Sequence, residues 1–356
     1  MLVGLLLWGG TTLATAQQQL LTIDQLFKKI EDNNTSLRTQ KSGVEAAHLG
    51  IAAAKSKRLP DLDASLSMSY IGNVLLTDRN FSNAHWLSSP LLGNNFAIQA
   101  QQVVYAGGAI NAGIQLAELG KRQAEAGVKL TRQQVRFLAL GQYLDLYKID
   151  NQIKVYEKNI QLTRQLISDI QDKQAQGMAL KNDITRYELQ MESLQLGLTA
   201  LRNSRSICNH QLCNTLGIPQ ATTIMPDTTL VGKTYAKDGE AYWQNVGSMN
   251  SPLLEQSVNA IKMAEQKEKI AKSDIRPKIA FVAADNFDGP ITFELPPVDK
   301  NLNVWYVGVG VKYNISALFK SNKRIRQAAV ETRQAKEAHV AQQEQLNNQL
   351  QAAYVQ

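Results

Sequence analysis

Leu62-Asp63-Ala64-Ser65-Leu66-Ser67-Met68-Ser69-Tyr70 alternates from end to end. In an extended chain, Leu62, Ala64, Leu66, Met68 and Tyr70 share one face, and Asp63, Ser65, Ser67 and Ser69 share the other. Three further stretches behave alike. Phe96, Ile98 and Ala100 alternate with Gln99 and Gln101 beyond a loop rich in Asn, Ser and Gly. Ile279, Phe281 and Ala283 form a third strand. Trp305, Val307, Val309, Val311 and Tyr313 form a fourth, with Gly308 and Gly310 on its opposite face. Strands of about 9–13 residues are long enough to cross a bilayer at a tilt. A half-exposed soluble sheet alternates in the same way. A barrel with lipid outside and water inside fits the long loops at one end and the N-terminal signal described below. On that reading Ser65, Ser67, Ser69, Gln99, Gln101, Gly308 and Gly310 face the lumen.

The chain repeats at a spacing of roughly 217 residues. Asn34-Thr35-Ser36-Leu37 returns as Ser251-Pro252-Leu253-Leu254, and Ala54-Lys55-Ser56 as Ala271-Lys272-Ser273. Pro60 returns as Pro277 and Leu62 as Ile279. Each copy reads as a helix, a proline break, two strands and a second helix. The expected division is a signal peptide over 1–16, a first repeat over 17–219, a linker over 220–240 and an incomplete second repeat over 241–356.

The helices are long. The first is expected over 22–57, with Thr22 and Gln25 spaced as a capping box. No proline occurs between Pro90 and Pro219. Gly107-Gly108 opens a helix that runs to about Gln174, a rod of about 100 Å at 1.5 Å per residue. Its distal half carries Ile149, Ile153, Tyr156, Ile160, Thr163, Ile167 and Ile170 at alternating steps of 4 and 3, the period of a coiled coil. Gly177 breaks it. A returning helix begins near Asn182-Asp183, either of which can cap it. Its seam is Ile184, Tyr187, Met191, Leu194, Leu198, Leu201, Arg205, Cys208 and Leu212. Two such seams across a short turn form an antiparallel hairpin. Gly217 and Pro219 end it. A last helix starts around Lys320.

Residues 1–13 are apolar and lead into Ala14-Thr15-Ala16 before Gln17. That is the form of a cleaved secretory signal, with a buried N-terminal strand as the other reading. The net charge is +7. Secretion and an aromatic content of 6% argue against nucleic acid and for a mixed, solvated surface. Cys208 and Cys213 sit too far apart along one helix for a disulfide, and with His210 they lack a fourth zinc ligand. Cys208 lies on the apolar seam and reads as a packed thiol. His48, His85, His210 and His339 are scattered, and no triad, carboxylate pair or phosphate loop stands out. No catalytic residue, cofactor or metal is expected.

Four strands cannot close a barrel, and lipid tolerates no open edge. Two copies of the chain supply eight strands and three supply twelve. A membrane sheet continued by long helical hairpins resembles the outer-membrane efflux proteins, the TolC-like outer-membrane factors. The duplicated order, the Asn34 and Ser251-Pro252 helix starts and the Gly107-Gly108 turn carry the resemblance. So do Leu212 to Gly217 and the tip Gly177-Met178-Ala179-Leu180-Lys181-Asn182-Asp183-Ile184. The resemblance implies a fold of long α-helical hairpins forming a periplasmic tunnel. It adds four β-strands per chain to a trimeric, twelve-stranded outer-membrane barrel. It implies a passive exit duct in a Gram-negative outer membrane, joined to a periplasmic adaptor and an inner-membrane pump. It places Gly177, Lys181 and Asp183 at the adaptor-facing tip. A soluble periplasmic coiled-coil adaptor is the competing reading.

Basic residues gather at the helix–strand junctions: Lys55, Lys57 and Arg58, then Lys272, Arg276 and Lys278, then Lys320, Lys323, Arg324 and Arg326. They read either as snorkelling toward lipid head groups or as solvated helix ends. Two departures from the family pattern stand out. Ser321-Asn322-Lys323 takes the place of the glycine turn in the second copy. The second hairpin is expected to be missing from this sequence, which predicts poor trimerisation of residues 17–356.

Overall fold

The computed structural model describes residues 18–227 and 238–355. The signal-like segment 1–16 and the middle of the 220–240 linker lie outside the described residues. The chain order is β1 (Gln18–Leu21), α1 (Ile23–Asn33), α2 (Thr35–Ser56), β2 (Asp61–Tyr70), β3 (Val74–Leu76), β4 (His85–Leu87), β5 (Leu92–Ala106), α3 (Ala109–Ala175) and α4 (Lys181–Leu216). There follow β6 (Thr223–Pro226), α5 (Glu240–Met249), α6 (Pro252–Ser273), β7 (Lys278–Gly289), β8 (Leu302–Lys312) and α7 (Ala317–Val355). The starts of α1, α2 and β2 recur as those of α5, α6 and β7 at an interval of about 217 residues. Two compact units are present, residues 1–42 with 127–239 and residues 43–126 with 240–356. Their boundaries fall inside α2 and α3, so each unit draws on distant parts of the chain.

The first unit is an apolar helical body. Leu26 and Ile30 of α1, Tyr143 and Leu146 of α3, and Leu212 and Leu216 of α4 are buried together with Leu21 and Ile224. Each fully buried leucine contributes about 1.5–3 kcal/mol relative to exposure. The two coiled-coil seams are the inward stripes of α3 and α4. Every seam residue from Ile149 to Ile170 and from Ile184 to Leu212 is buried or half-buried. Leu162, Leu189 and Leu196, off the seam, are exposed. Arg205 is a cation in an apolar row because Asp150 meets it. Its Nε donates to one carboxylate oxygen at 2.5 Å and its Nη2 to the other at 3.3 Å. Its Nη2 also donates to the Ile224 carbonyl at 3.1 Å.

The first helix is not continuous, contrary to the expectation over 22–57. Thr22 and Gln25 do form the capping box, but α1 ends at Asn33 and α2 begins at Thr35. Asn34 makes the break. Its Oδ1 accepts from Leu37 N–H at 2.9 Å, capping α2, while its Nδ2 donates to the Thr215 carbonyl at 2.7 Å. Ser251 caps α6 at the matching place, accepting from Leu254 N–H at 3.4 Å. The start of the expected 220–240 linker carries a short strand. Thr223–Pro226 pairs in parallel with β1. Tyr143 ties this small sheet to α3, its hydroxyl donating to the Leu21 carbonyl at 2.7 Å and accepting from Asp227 N–H at 2.7 Å. Four-residue strands are too short for alternation to reveal.

In the second unit α6 packs on α7 through polar side chains. Ser257, Asn259, Gln266, Ser273 and Thr332 are all buried. Thr332 donates to Glu268 at 3.2 Å, and Lys272 pairs with the same carboxylate at 2.7 Å. α7 opens at Ala317, ahead of the expected Lys320, and its first N–H bonds the Asn314 carbonyl at 3.0 Å. The counterpart of Gly107-Gly108 is therefore Ile315-Ser316 rather than Ser321-Asn322-Lys323.

Candidate functional site

β2, β5, β7 and β8 form one antiparallel sheet in that order. Its rows are fixed by register. Leu66 lies beside Phe96, Phe96 beside Phe287, and Ala64 beside Ile98. Ala283 lies beside Val307 and Phe281 beside Val309. A second set of rows alternates with these. Ser65 lies beside Ala97, Asp63 beside Gln99, Gln101 beside Val282, and Val282 beside Gly308. Side chains two apart along a strand share a face. Ser65, Ser67, Ser69, Gln99, Gln101, Gly308 and Gly310 therefore lie together on one face. That face is polar on β2 and β5 and mixed on β7 and β8, where Ala280, Val282 and Ala284 stand beside Gly310, Gly308 and Tyr306.

The other face is apolar and uncovered. Leu66 is 73% exposed, Met68 77%, Trp305 72% and Val307 73%. Leaving a large apolar side chain in water forgoes about 1.5–3 kcal/mol each. A row of them on one face is a surface built for an apolar neighbour. Polar groups on this face gather toward the β2–β5 and β7–β8 connections. There Asn303 donates to Asp285 at 2.6 Å, and on the opposite face Asn95 bonds Asp288. β2 and β8 are the sheet's edges, and neither carries a further strand among the described residues.

The sheet joins its helices through a tight corner. Gly107 and Gly108 have φ of +65° and +94°, and a Cβ on Gly107 would meet the Ser273 carbonyl at 2.7 Å. Arg276 donates to the Gly107 carbonyl at 3.1 Å, so the turn after β5 is held by the corner before β7. Several junction cations thus have fixed partners. Arg58 donates to Asn111 at 2.8 Å, Arg324 to Asp274 at 2.9 Å, and Lys272 pairs with Glu268. These four side chains have partners within the chain.

Gly177, Lys181 and Asp183 come together in the turn between α3 and α4. Gly177 has φ +75°, with its N–H on the Gln174 carbonyl at 2.9 Å and Met178 N–H on the Lys173 carbonyl at 2.8 Å. That is a Schellman ending, which favours glycine at this position. Asp183 is not the N-cap. Leu180 occupies that place, and Asp183 in the first turn accepts from Leu180 N–H at 3.2 Å. A carboxylate there also meets the positive end of the helix. Met178 and Leu180 are exposed beside it.

The remaining polar candidates have structural partners. Cys208 and Cys213 are buried free thiols facing the carbonyls of Gln142 and Thr222 at 3.3 and 3.4 Å, and burial pushes both thiols up. His339 Nδ1 lies 2.6 Å from Ser257 Oγ. The Ser257 hydroxyl also lies 2.8 Å from the Leu254 carbonyl. The Ser257–His339 pair joins α6 to α7. Glu31 accepts from Arg132 at 2.6 Å and Arg136 at 3.0 Å, with Lys41 at 3.8 Å. Burial raises its pKa, but the Arg132 bond and the three cations outweigh burial and hold the carboxyl below its usual range.

No protein-family sequence profile and no curated protein sequence matches the chain. Solved structures do. The outer membrane protein VceC of Vibrio cholerae is similar over 91% of this chain and 75% of its own, at 14% identity and a TM-score of 0.69. The outer-membrane channel OprN is similar over 93% and 73%, at 13% identity and 0.70. The MtrE outer membrane channel of Neisseria gonorrhoeae, solved in its open state, is similar over 93% and 70%, at 15% identity and 0.64. The chain thus has the TolC-like outer-membrane-channel fold of long helices and a membrane-type sheet.

Proposed function

We propose that this chain is the outer-membrane channel subunit of a tripartite efflux or type I secretion system in a Gram-negative bacterium. The carrying observation is the four-stranded sheet. It pairs a wide, uncovered apolar face with two open edges, on a fold shared with outer-membrane channels. Open edges in lipid demand closure, and three copies supply the twelve strands of a barrel. The apolar face meets lipid. Ser65, Ser67, Ser69, Gln99, Gln101, Gly308 and Gly310 line the lumen. The helices of the three copies build the periplasmic tunnel, and the two halves of the chain are copies of one ancestral unit. Gly177, Lys181 and Asp183 mark the tip that meets a periplasmic adaptor, through which an inner-membrane pump delivers substrate. The duct itself is passive. No enzyme chemistry is assigned to it, in keeping with the channel proteins that share its fold. A soluble adaptor would leave the apolar face unexplained.

Fractionation tests the reading. The protein is expected in the outer membrane, resistant to carbonate extraction, and to open water-filled conductances in planar bilayers. Release by a salt or carbonate wash would end the channel hypothesis.

A further inference from the structure

Four charged side chains stand at the end of the sheet where α2, α3, α6 and α7 join it. Lys278 and Lys312 lie directly opposite each other on β7 and β8. They share the face that carries Gly308 and Gly310. Like charges directly opposite each other destabilise a strand pair. Asp61 and Asp63 stand on the same face of the other edge strand, β2. All four are exposed, and among the described residues none has an ion-pair partner. Within one chain, the two anions on edge strand β2 are separated by the full width of the sheet from Lys312 on edge strand β8, which has Lys278 beside it on β7.

We propose that these charges join one copy of the chain to the next, with Lys312 of one copy between Asp61 and Asp63 of its neighbour. The inference rests on the channel reading and adds the residues that close the ring. β2 leaves its helix and β8 returns to one, so β2 and β8 of successive copies meet antiparallel, like every other pair in this sheet. Their lengths match, at 10 and 11 residues. Aligning their helix-side ends sets Asp61 across from Lys312 and Tyr70 across from Asn303. Leu66 then meets Val307, so the apolar face continues from copy to copy. A two-residue step keeps that continuity and brings Asp63 to Lys312 instead. A one-residue step would turn the apolar residues to the wrong face, which alternation forbids. The partner is a second copy of this chain, and its acidic edge offsets the repulsion between Lys278 and Lys312.

Cysteine pairs test the register in the outer membrane of cells expressing the full chain, because a disulfide captures even the weak trimer expected of residues 17–356. Asp61→Cys with Lys312→Cys, or Asp63→Cys with Lys312→Cys, should give a ladder of dimer and trimer on oxidation, reversed by thiol. Each single substitution should give dimer at most, and the unsubstituted chain, whose own thiols are buried, should give none. Tyr70→Cys with Asn303→Cys reports the other end of the same seam. A ladder from that pair alone, or none from any pair in a membrane-resident protein, overturns the proposal and leaves the channel reading standing. A protein absent from the membrane fraction defeats the channel reading itself. In a second readout, Lys312→Glu should lower the trimer fraction on non-denaturing gels roughly fivefold. Asp61→Lys with Asp63→Lys should restore it. Equal trimer in all variants would also overturn the ion pair.

Discussion

Ile160, Ile167, Ile184 and Leu198 are buried between two helices of one chain, whereas Leu66, Met68, Trp305 and Val307 stand uncovered on a sheet of the same chain. Both sets follow strict periods, 3.5 in the helices and 2 in the strands. The helical seam finds its complement in cis, on the returning arm of a hairpin. The strand seam has no complement within the described residues. A hydrophobic pattern therefore states that a face must be covered, and does not state by what. Whether the cover is another helix, another copy or lipid follows from topology.

Four substitutions would break or sharpen this contrast, in descending order of effect. Leu212→Ala removes a fully buried side chain of the helical body. It should cost about 2–5 kcal/mol in urea unfolding followed by circular dichroism, with or without lipid. Val307→Arg should cost about 2–4 kcal/mol, but only in a bilayer. Gly308→Arg, one residue along and facing open space, should cost far less. Equal penalties for the two would place both faces in the same solvent and dissolve the contrast. The smallest effect concerns pH. Glu31 is held below the usual carboxylate range in the fold, so its contribution is full above the unfolded value of about 4.3. It fades as pH falls through the lower folded value. Stability of the helical body should be flat near neutrality and drop on acidification below that value, and Glu31→Gln should flatten the drop. An unchanged acid limb in that variant would remove Glu31 from the account.

Much of this was legible in the residues. The strict alternation of β2 and the 4-3 steps of α3 and α4 each have one structural solution. Gly177 and Gly217 mark helix ends because their backbones bend to the left. What escaped reading depended on distant partners. Asp32-Asn33-Asn34-Thr35-Ser36 is a cluster of capping residues that marks a helix start, but the carbonyl that Asn34 also meets belongs to Thr215, far along the chain. Arg205 reads as a fault in an apolar seam until Asp150 is placed opposite. The Lys278–Lys312 juxtaposition arises only once β7 and β8 are in register. Asp183 marks a helix start, yet it stands in the first turn rather than at the cap, and Leu180 at the cap carries no capping signal in its side chain.

Asn34 has a consequence for the order in which this protein can be made. Its amide serves two clients, the start of α2 and the Thr215 carbonyl near the end of α4. The second lies 181 residues after Asn34 itself. An emerging chain therefore holds its N-terminal helices without their final anchor until the whole hairpin has been threaded out and folded back.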